Sequence, residues 1–287
     1  MQQHTVKREF SIEGKGLHSG KKSLLRVRPA DPGSGIIFQR SDLSEASKIK
    51  AHPENVVSSR RSVDLGIDGE SLVGSVEHFL AACAGMSINN LLVDISGPEI
   101  PALDGSAAPL VERFSQAGQL RQSEKLSVYR PEKRLEVKGD ESRVLVEPAD
   151  EFSLHYRLDF GDHAPGQEEM AFFPGKDNFA RRIAPARTFV RKCDIAALRE
   201  AGLARGGSRE NAVVFTREGP ENELRFSREA ARHKILDLLG DLFLLPLIYI
   251  QARITGDKSG HDLHCRLGKI IFNRLREESK YERALRR

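Results

Sequence analysis

The chain has 287 residues, 39% of them hydrophobic and 30% charged, with 24 Gly and 13 Pro, a composition that excludes disordered and fibrous classes. Its 45 basic and 41 acidic residues leave a formal charge of +4. That permits an anionic small-molecule ligand but gives no case for nucleic acid, since no recognition module accompanies it. The most apolar stretch, 242–250, contains Pro246 and falls well short of the about 20 residues a bilayer span needs. Lys7, Arg8 and Glu9 interrupt the first ten residues, which lack the apolar core of a secretory signal. A cytoplasmic protein is expected. Cys83, Cys193 and Cys265 are odd in number and far apart, predicting reduced, buried fillers.

In chain order, short strands are expected at 24–27 and 35–38, around a Pro-, Gly- and Asp-rich turn. A helix follows over 76–86, ending near Gly85, and then a buried strand over 90–95. Pro98 and Pro101 lack amide donors, so 98–105 must be a rigid loop, after which Ser106 caps a helix that Gly118 stops. The stretch 121–134 is charged, contains Pro131 and shows little apolar periodicity. It reads as a linker between an N-terminal domain, 1–120, and a C-terminal domain, 135–287. Strands at 135–137, 143–146 and 152–160 open the second half, which closes with helices. Strands followed by helices, twice, predict an α+β fold of two sandwich domains packed together, although no residue-level repeat is visible.

The segment 227–245 is apolar around most of its circumference, with Ser227 as N-cap and Pro246 as stop, so it reads as a deeply buried helix. On it His233, Asp237 and Asp241 lie at i, i+4 and i+8 and share one face. Burying two carboxylates costs several kcal/mol each unless something compensates. A divalent metal held by His233 and Asp237 would do so; so would a His–Asp hydrogen bond with Lys234 as counter-charge, and spacing leaves both open. A catalytic zinc needs a third protein ligand. His78 offers it, and the preceding Glu77 is placed to take a proton from water, although alone the dipeptide reads as a surface feature. Finally, 255–264 is a Gly-rich turn leading into a helix whose start holds His261, where an anion is favoured. His264 reads as a turn histidine without a role.

Seven motifs in order resemble the UDP-3-O-acyl-N-acetylglucosamine deacetylases of lipid A synthesis, over about 8–271. They are Gly14-x-Gly-Leu-His18-Ser-Gly20, Val76-Glu77-His78, Pro98-Glu-Ile-Pro-x-x-Asp-Gly-Ser-Ala107, Ala186-Arg-Thr-Phe189, Gly206-Gly-Ser208, Arg232-His-Lys-x-x-Asp237 with Gly240-Asp241, and Ser259-Gly-His261. The resemblance implies a catalytic zinc on His78, His233 and Asp237, and Glu77 as general base. It implies an Asp241–His261 pair and a Thr188 hydroxyl at the developing oxyanion, with Lys234 against the substrate. It also implies two α+β domains with the site between them and a βαβ insert over 183–215 that receives the 3-O-acyl chain. In that insert, strands at 187–191 and 212–215 and a helix over 194–200 would line an apolar passage with Phe189, Val190, Ile195, Ala196, Leu198, Val213 and Val214. Phe160 is the implied uracil-stacking ring, and a monomer is expected. The turn at 255–258 and the segment 242–251 depart from the family pattern, so the alternative is a nucleotide-lipid binding protein with impaired turnover.

Overall fold

The structure, a computed structural model, describes residues 1–43 and 48–285. Strict alternation in Lys22–Pro29 sends Leu25 and Val27 inward and Arg26 outward, the period-two signature of a sheet with one wet face. That strand belongs to a five-stranded sheet ordered Phe10–Lys15, Lys22–Pro29, Leu91–Ser96, Ile36–Arg40, Lys48–Lys50. A second five-stranded sheet is ordered Leu135–Lys138, Arg143–Pro148, Ala252–Asp257, Ser153–Asp159, Gln167–Phe172. Among the described residues the helices are α1 (Glu77–Gly85), α2 (Ala108–Ala117), α3 (Phe179–Arg182), α4 (Ile195–Glu200), α5 (Glu229–Leu242) and α6 (His261–Leu285).

The two sheets share one topology. Ranked by position in the chain, the strands of each stand in the order 1-2-5-3-4, and the fifth pairs parallel with the third. In each half one long helix precedes the fifth strand and another follows it, α1 and α2 in the first and α5 and α6 in the second. The chain is thus an α+β fold of two sandwich units, a repeat of topology without a repeat of residues. Phe79 of α1 packs edge-on against Phe38 of the first sheet, while α5 packs on α1 and on the second sheet. The helices therefore form the middle layers, which is why α5 is apolar on nearly every side.

Several boundaries differ from the sequence reading. The segment read as a linker begins with a strand, Gln119–Lys125, paired antiparallel with Gln2–Val6, and continues with Ser127–Tyr129, paired parallel with Ile248–Ile250. Gln119–Lys125 is exposed along most of its length, so it carries no apolar alternation to betray it. Ser227 does not cap α5. The residue before the helix is Arg228, in the left-handed region at φ 58 without a side-chain cap, and Glu168 of the neighbouring strand instead accepts from Ala231 N at 2.9 Å. The helix ends at Leu242 rather than Leu245. Helix α2 begins at Ala108, where Ser106 Oγ still accepts from Ala108 N at 3.2 Å. Cys83 and Cys265 are buried, but Cys193 is exposed. The βαβ insert is present: Phe189–Arg191 pairs parallel with Val213–Phe215, and α4 connects them. Among the described residues no helix is long and apolar enough to cross a membrane.

Candidate active site

Two close helices create the site. Gly240 of α5 lies against the Glu77 carbonyl at the first turn of α1, where an added Cβ would stand 2.1 Å from that oxygen. Only glycine allows this approach, and it brings Glu77 and His78 on α1 level with His233, Asp237 and Asp241 on α5. The first turn of α6 adds His261. Glu77, His78, His233, Asp237 and His261 line a cleft of about 950 Å³ that also reaches the insert and the loops at His18, Arg60 and Lys258, with Asp241 buried behind them.

Asp237 Oδ1 lies 3.3 Å from His233 Nε2 and 3.7 Å from His78 Nε2. Its other oxygen is taken by Lys234 Nζ at 2.7 Å, which leaves Oδ1 facing both imidazoles. The separations match the roughly 3.3 Å between ligand atoms around a tetrahedral ion bound at about 2 Å. The three donors are thus spaced to hold a divalent metal, and the surroundings favour it. His233 Nδ1 meets the Ala186 carbonyl at 3.1 Å, which fixes Nε2 as the free nitrogen. Burial holds the His233 imidazole down to about 4, so it stays neutral. Burial would raise Asp237, but His233, Lys234 and His261 together hold it well below the usual carboxylate range.

Glu77 is buried, and Oε2 accepts from Val63 N at 2.9 Å. Burial pushes its pKa up to about 7 against the opposing pull of His261 and His78, a range suited to exchanging protons near neutrality. His261 differs: burial would lower it, yet Asp241 and Asp237 raise it to about 9, so it is protonated at neutral pH. His261 Nδ1 stands 2.8 Å from Asp241 Oδ2, and Nε2 lies 3.9 Å from Asp237 Oδ2. The altered turn at 255–258 therefore still delivers His261 beside the donor set.

Thr188, Phe160, Phe189 and Lys234 line the same cleft. Phe189 meets Phe160 at 6.1 Å, Phe215 at 5.9 Å and His233 at 6.1 Å between centroids, so it joins the insert to the helix bearing the site. One face of Phe160 carries the Arg191 guanidinium, 5.8 Å from its centroid. Of the residues expected along the passage, Phe189, Val190, Ile195, Leu198 and Val214 line the cleft, and Gly207 and Ala212 join them. Ala196 and Ala197 face solvent, because at about 100° per residue α4 turns Ile195, Leu198 and Arg199 toward the cleft instead; Val213 packs into the core.

Three supports escaped the sequence reading. Glu99, buried within the Pro98-Glu-Ile-Pro101 loop, accepts from His18 N at 2.8 Å, Ser19 N at 2.7 Å and Ser75 Oγ at 2.9 Å. The buried Arg187–Glu229 pair, Nε to Oε1 at 2.9 Å, pins the segment holding Ala186 and Thr188, just before the strand Phe189–Arg191, to the start of α5. His264 is buried and bonded to Asp241 and Ser259. Its spacing from His261, three residues along one helix, was the signal available for it.

Residues 3–273 match the family described as UDP-3-O-acyl N-acetylglycosamine deacetylase. Among curated relatives, the UDP-3-O-acyl-N-acetylglucosamine deacetylase of Acidithiobacillus ferrooxidans is 39% identical over 281 residues, 96% of this chain and 91% of that protein. The proteins of the same name from Myxococcus xanthus and Methylococcus capsulatus are each 40% identical, over 94% and 92% of this chain and 86% and 88% of theirs. With a match across nearly its whole length and relatives at this identity, the chain belongs to the UDP-3-O-acyl N-acetylglycosamine deacetylase family.

Proposed function

We propose that this protein hydrolyses the N-acetyl group of UDP-3-O-acyl-N-acetylglucosamine, releasing acetate in lipid A synthesis, with one zinc ion held by His78, His233 and Asp237. The observation that carries this reading is the convergence of Glu77 and His78 from α1 with His233 and Asp237 from α5 and His261 from α6 in the cleft. Zinc, when bound, supplies Lewis acidity toward the acetamide carbonyl and an acidified water. Glu77, ionised above about 7, takes the proton as water attacks. His261, protonated below about 9, donates from Nε2 to the developing oxyanion and then to the departing amine, while Asp241 holds its Nδ1. Thr188 lends a hydroxyl to the oxyanion, and Lys234 draws substrate oxygen toward the centre while balancing Asp237. Phe160 offers a ring for the uracil, and the insert receives the acyl chain along Phe189, Ile195, Leu198 and Val214.

The impaired-binder alternative gains nothing here, because a binder has little use for Glu77 and His261 lining one cleft beside the donor set of His78, His233 and Asp237. The test is acetate and free-amine release by the purified protein. Stoichiometric acetate, abolished by a chelator and restored by zinc, is expected; zinc-loaded protein releasing none would refute the proposal.

A further inference from the structure

His264 takes no part in the reaction above, yet its ring is fully buried and both nitrogens are engaged. It lies one turn along α6 from His261, and the two imidazoles converge on a single atom: Asp241 Oδ2 stands 2.8 Å from His261 Nδ1 and 2.7 Å from His264 Nδ1. The other oxygen, Oδ1, is buried without a hydrogen-bond partner. Among the described residues, nothing else hydrogen-bonded to the carboxylate fixes its plane.

We propose that His264 is a positioning residue for the deacetylation proposed above, on which this inference rests, acting through Asp241 to hold His261 in its working orientation. A carboxylate accepts only, so His264 Nδ1 carries the proton toward Asp241. Nε2 is then bare and accepts from the Ser259 hydroxyl at 2.8 Å. Burial lowers the His264 pKa, which agrees with this neutral form. The chain of contacts closes a loop: Ser259 sits two residues before His261, and Tyr156 Oη donates to the Ser259 carbonyl. His264 thus fixes the carboxylate that His261 leans on and the turn from which His261 emerges. With His264 gone, Asp241 keeps one partner and can rotate about its side-chain bond, and His261 Nε2 loses its aim at the oxyanion while the metal donors on α1 and α5 stay in place.

The test uses the full-length, zinc-loaded enzyme. His264→Leu is expected to lower kcat by about 10-fold or more, the scale for outer supporting groups, with KM and zinc content unchanged. His264→Asn, whose amide nitrogen reaches the Nδ1 position, is expected to keep most of the parental kcat. In an Asp241→Ala background, adding His264→Leu should cost nothing more, because the pair acts as a unit. Losses that multiply, or an Asn variant as poor as Leu, would overturn the proposal. Should the variants fail to fold, ¹⁵N NMR of the wild-type imidazoles decides it: Nδ1-protonated, neutral His264 is expected, and the Nε2-protonated form would overturn it. Wild-type turnover tests the proposed function separately from these comparisons.

Discussion

Replacing Gly240 by alanine separates helix propensity from helix packing, because the two act in opposite directions. Alanine is favoured over glycine in a helix interior by about 1 kcal/mol, so an unconstrained α5 would be stabilised. At this position, however, the new Cβ would stand 2.1 Å from Glu77 O, 2.9 Å from Glu77 C and 3.1 Å from Ala81 N. Close C···O contacts between packed backbones run at about 3.3 Å, so α1 and α5 must part by roughly 1 Å. The obstacle is backbone and cannot swing aside. Overpacking of this kind costs about 1–3 kcal/mol, which offsets the propensity gain and leaves a net loss of up to about 2 kcal/mol. At about 2–4 °C per kcal/mol, Tm should stay level or fall by several degrees. The larger effect falls on the site, since Glu77 and His78 ride on α1 and His233 and Asp237 on α5. A misplacement of about 1 Å costs on the order of 10²-fold, so kcat/KM should fall by about that factor in a protein that remains folded. Thermal melts beside initial-rate assays check both numbers. A Tm raised by a few degrees with kcat/KM within about twofold of the parent would mean that propensity wins and that the helix contact does not set the site.

The remaining predictions concern pH and the acyl chain. Glu77 must be ionised and is raised to about 7, while His261 must be protonated and is raised to about 9. The kcat/KM profile should therefore rise with pH through a limb at or below about 7 and fall through a limb at or below about 9, since a bound cation pulls both groups down. The groups are coupled, so the limbs belong to the site as a whole; His261→Ala should nonetheless remove the alkaline limb, and an unchanged bell in that variant would displace His261 from the reaction. Each methylene buried in the passage is worth roughly 0.8 kcal/mol, about fourfold in kcat/KM per carbon until the passage is full. Gly207 lines it, and a Cβ there meets Ala204 O at 3.3 Å and Leu17 Cδ1 at 3.8 Å, so Gly207→Leu should shift the preference to shorter chains. Equal rates on acylated and unacylated UDP-N-acetylglucosamine would refute the assignment of the insert.

The one-sided stripe of His233, Asp237 and Asp241 was legible in the sequence because a buried helix must account for every polar residue on it. Some strands of both sheets were legible where one face is wet, as at 24–27 within Lys22–Pro29 and 152–160 around Ser153–Asp159, whereas Phe10–Lys15, Lys48–Lys50 and Gln167–Phe172 were not read. What escaped depends on partners distant in the chain. Glu168 substitutes for Ser227 at the start of α5 from a strand 63 residues away, and the Arg187–Glu229 pair spans 42 residues. The strand Gln119–Lys125 escaped because an exposed edge needs no apolar pattern. Strand order leaves no trace in residue identity, so the repeated 1-2-5-3-4 topology emerged only from the pairing. His264 was passed over because the carboxylate that gives it meaning comes from α5.

The central claim is that the donors His78, His233 and Asp237 hold the zinc while Glu77, adjacent to one of them, does the proton chemistry. Measuring bound zinc per folded chain in Asp237→Ala and Glu77→Ala, with acetate release from each, tests it most directly. Asp237→Ala should lose both metal and turnover, whereas Glu77→Ala should keep one equivalent of zinc and lose about 10²-fold or more in kcat. A folded Asp237→Ala protein that still carries one equivalent of zinc, or a Glu77→Ala protein with parental turnover, would contradict the account.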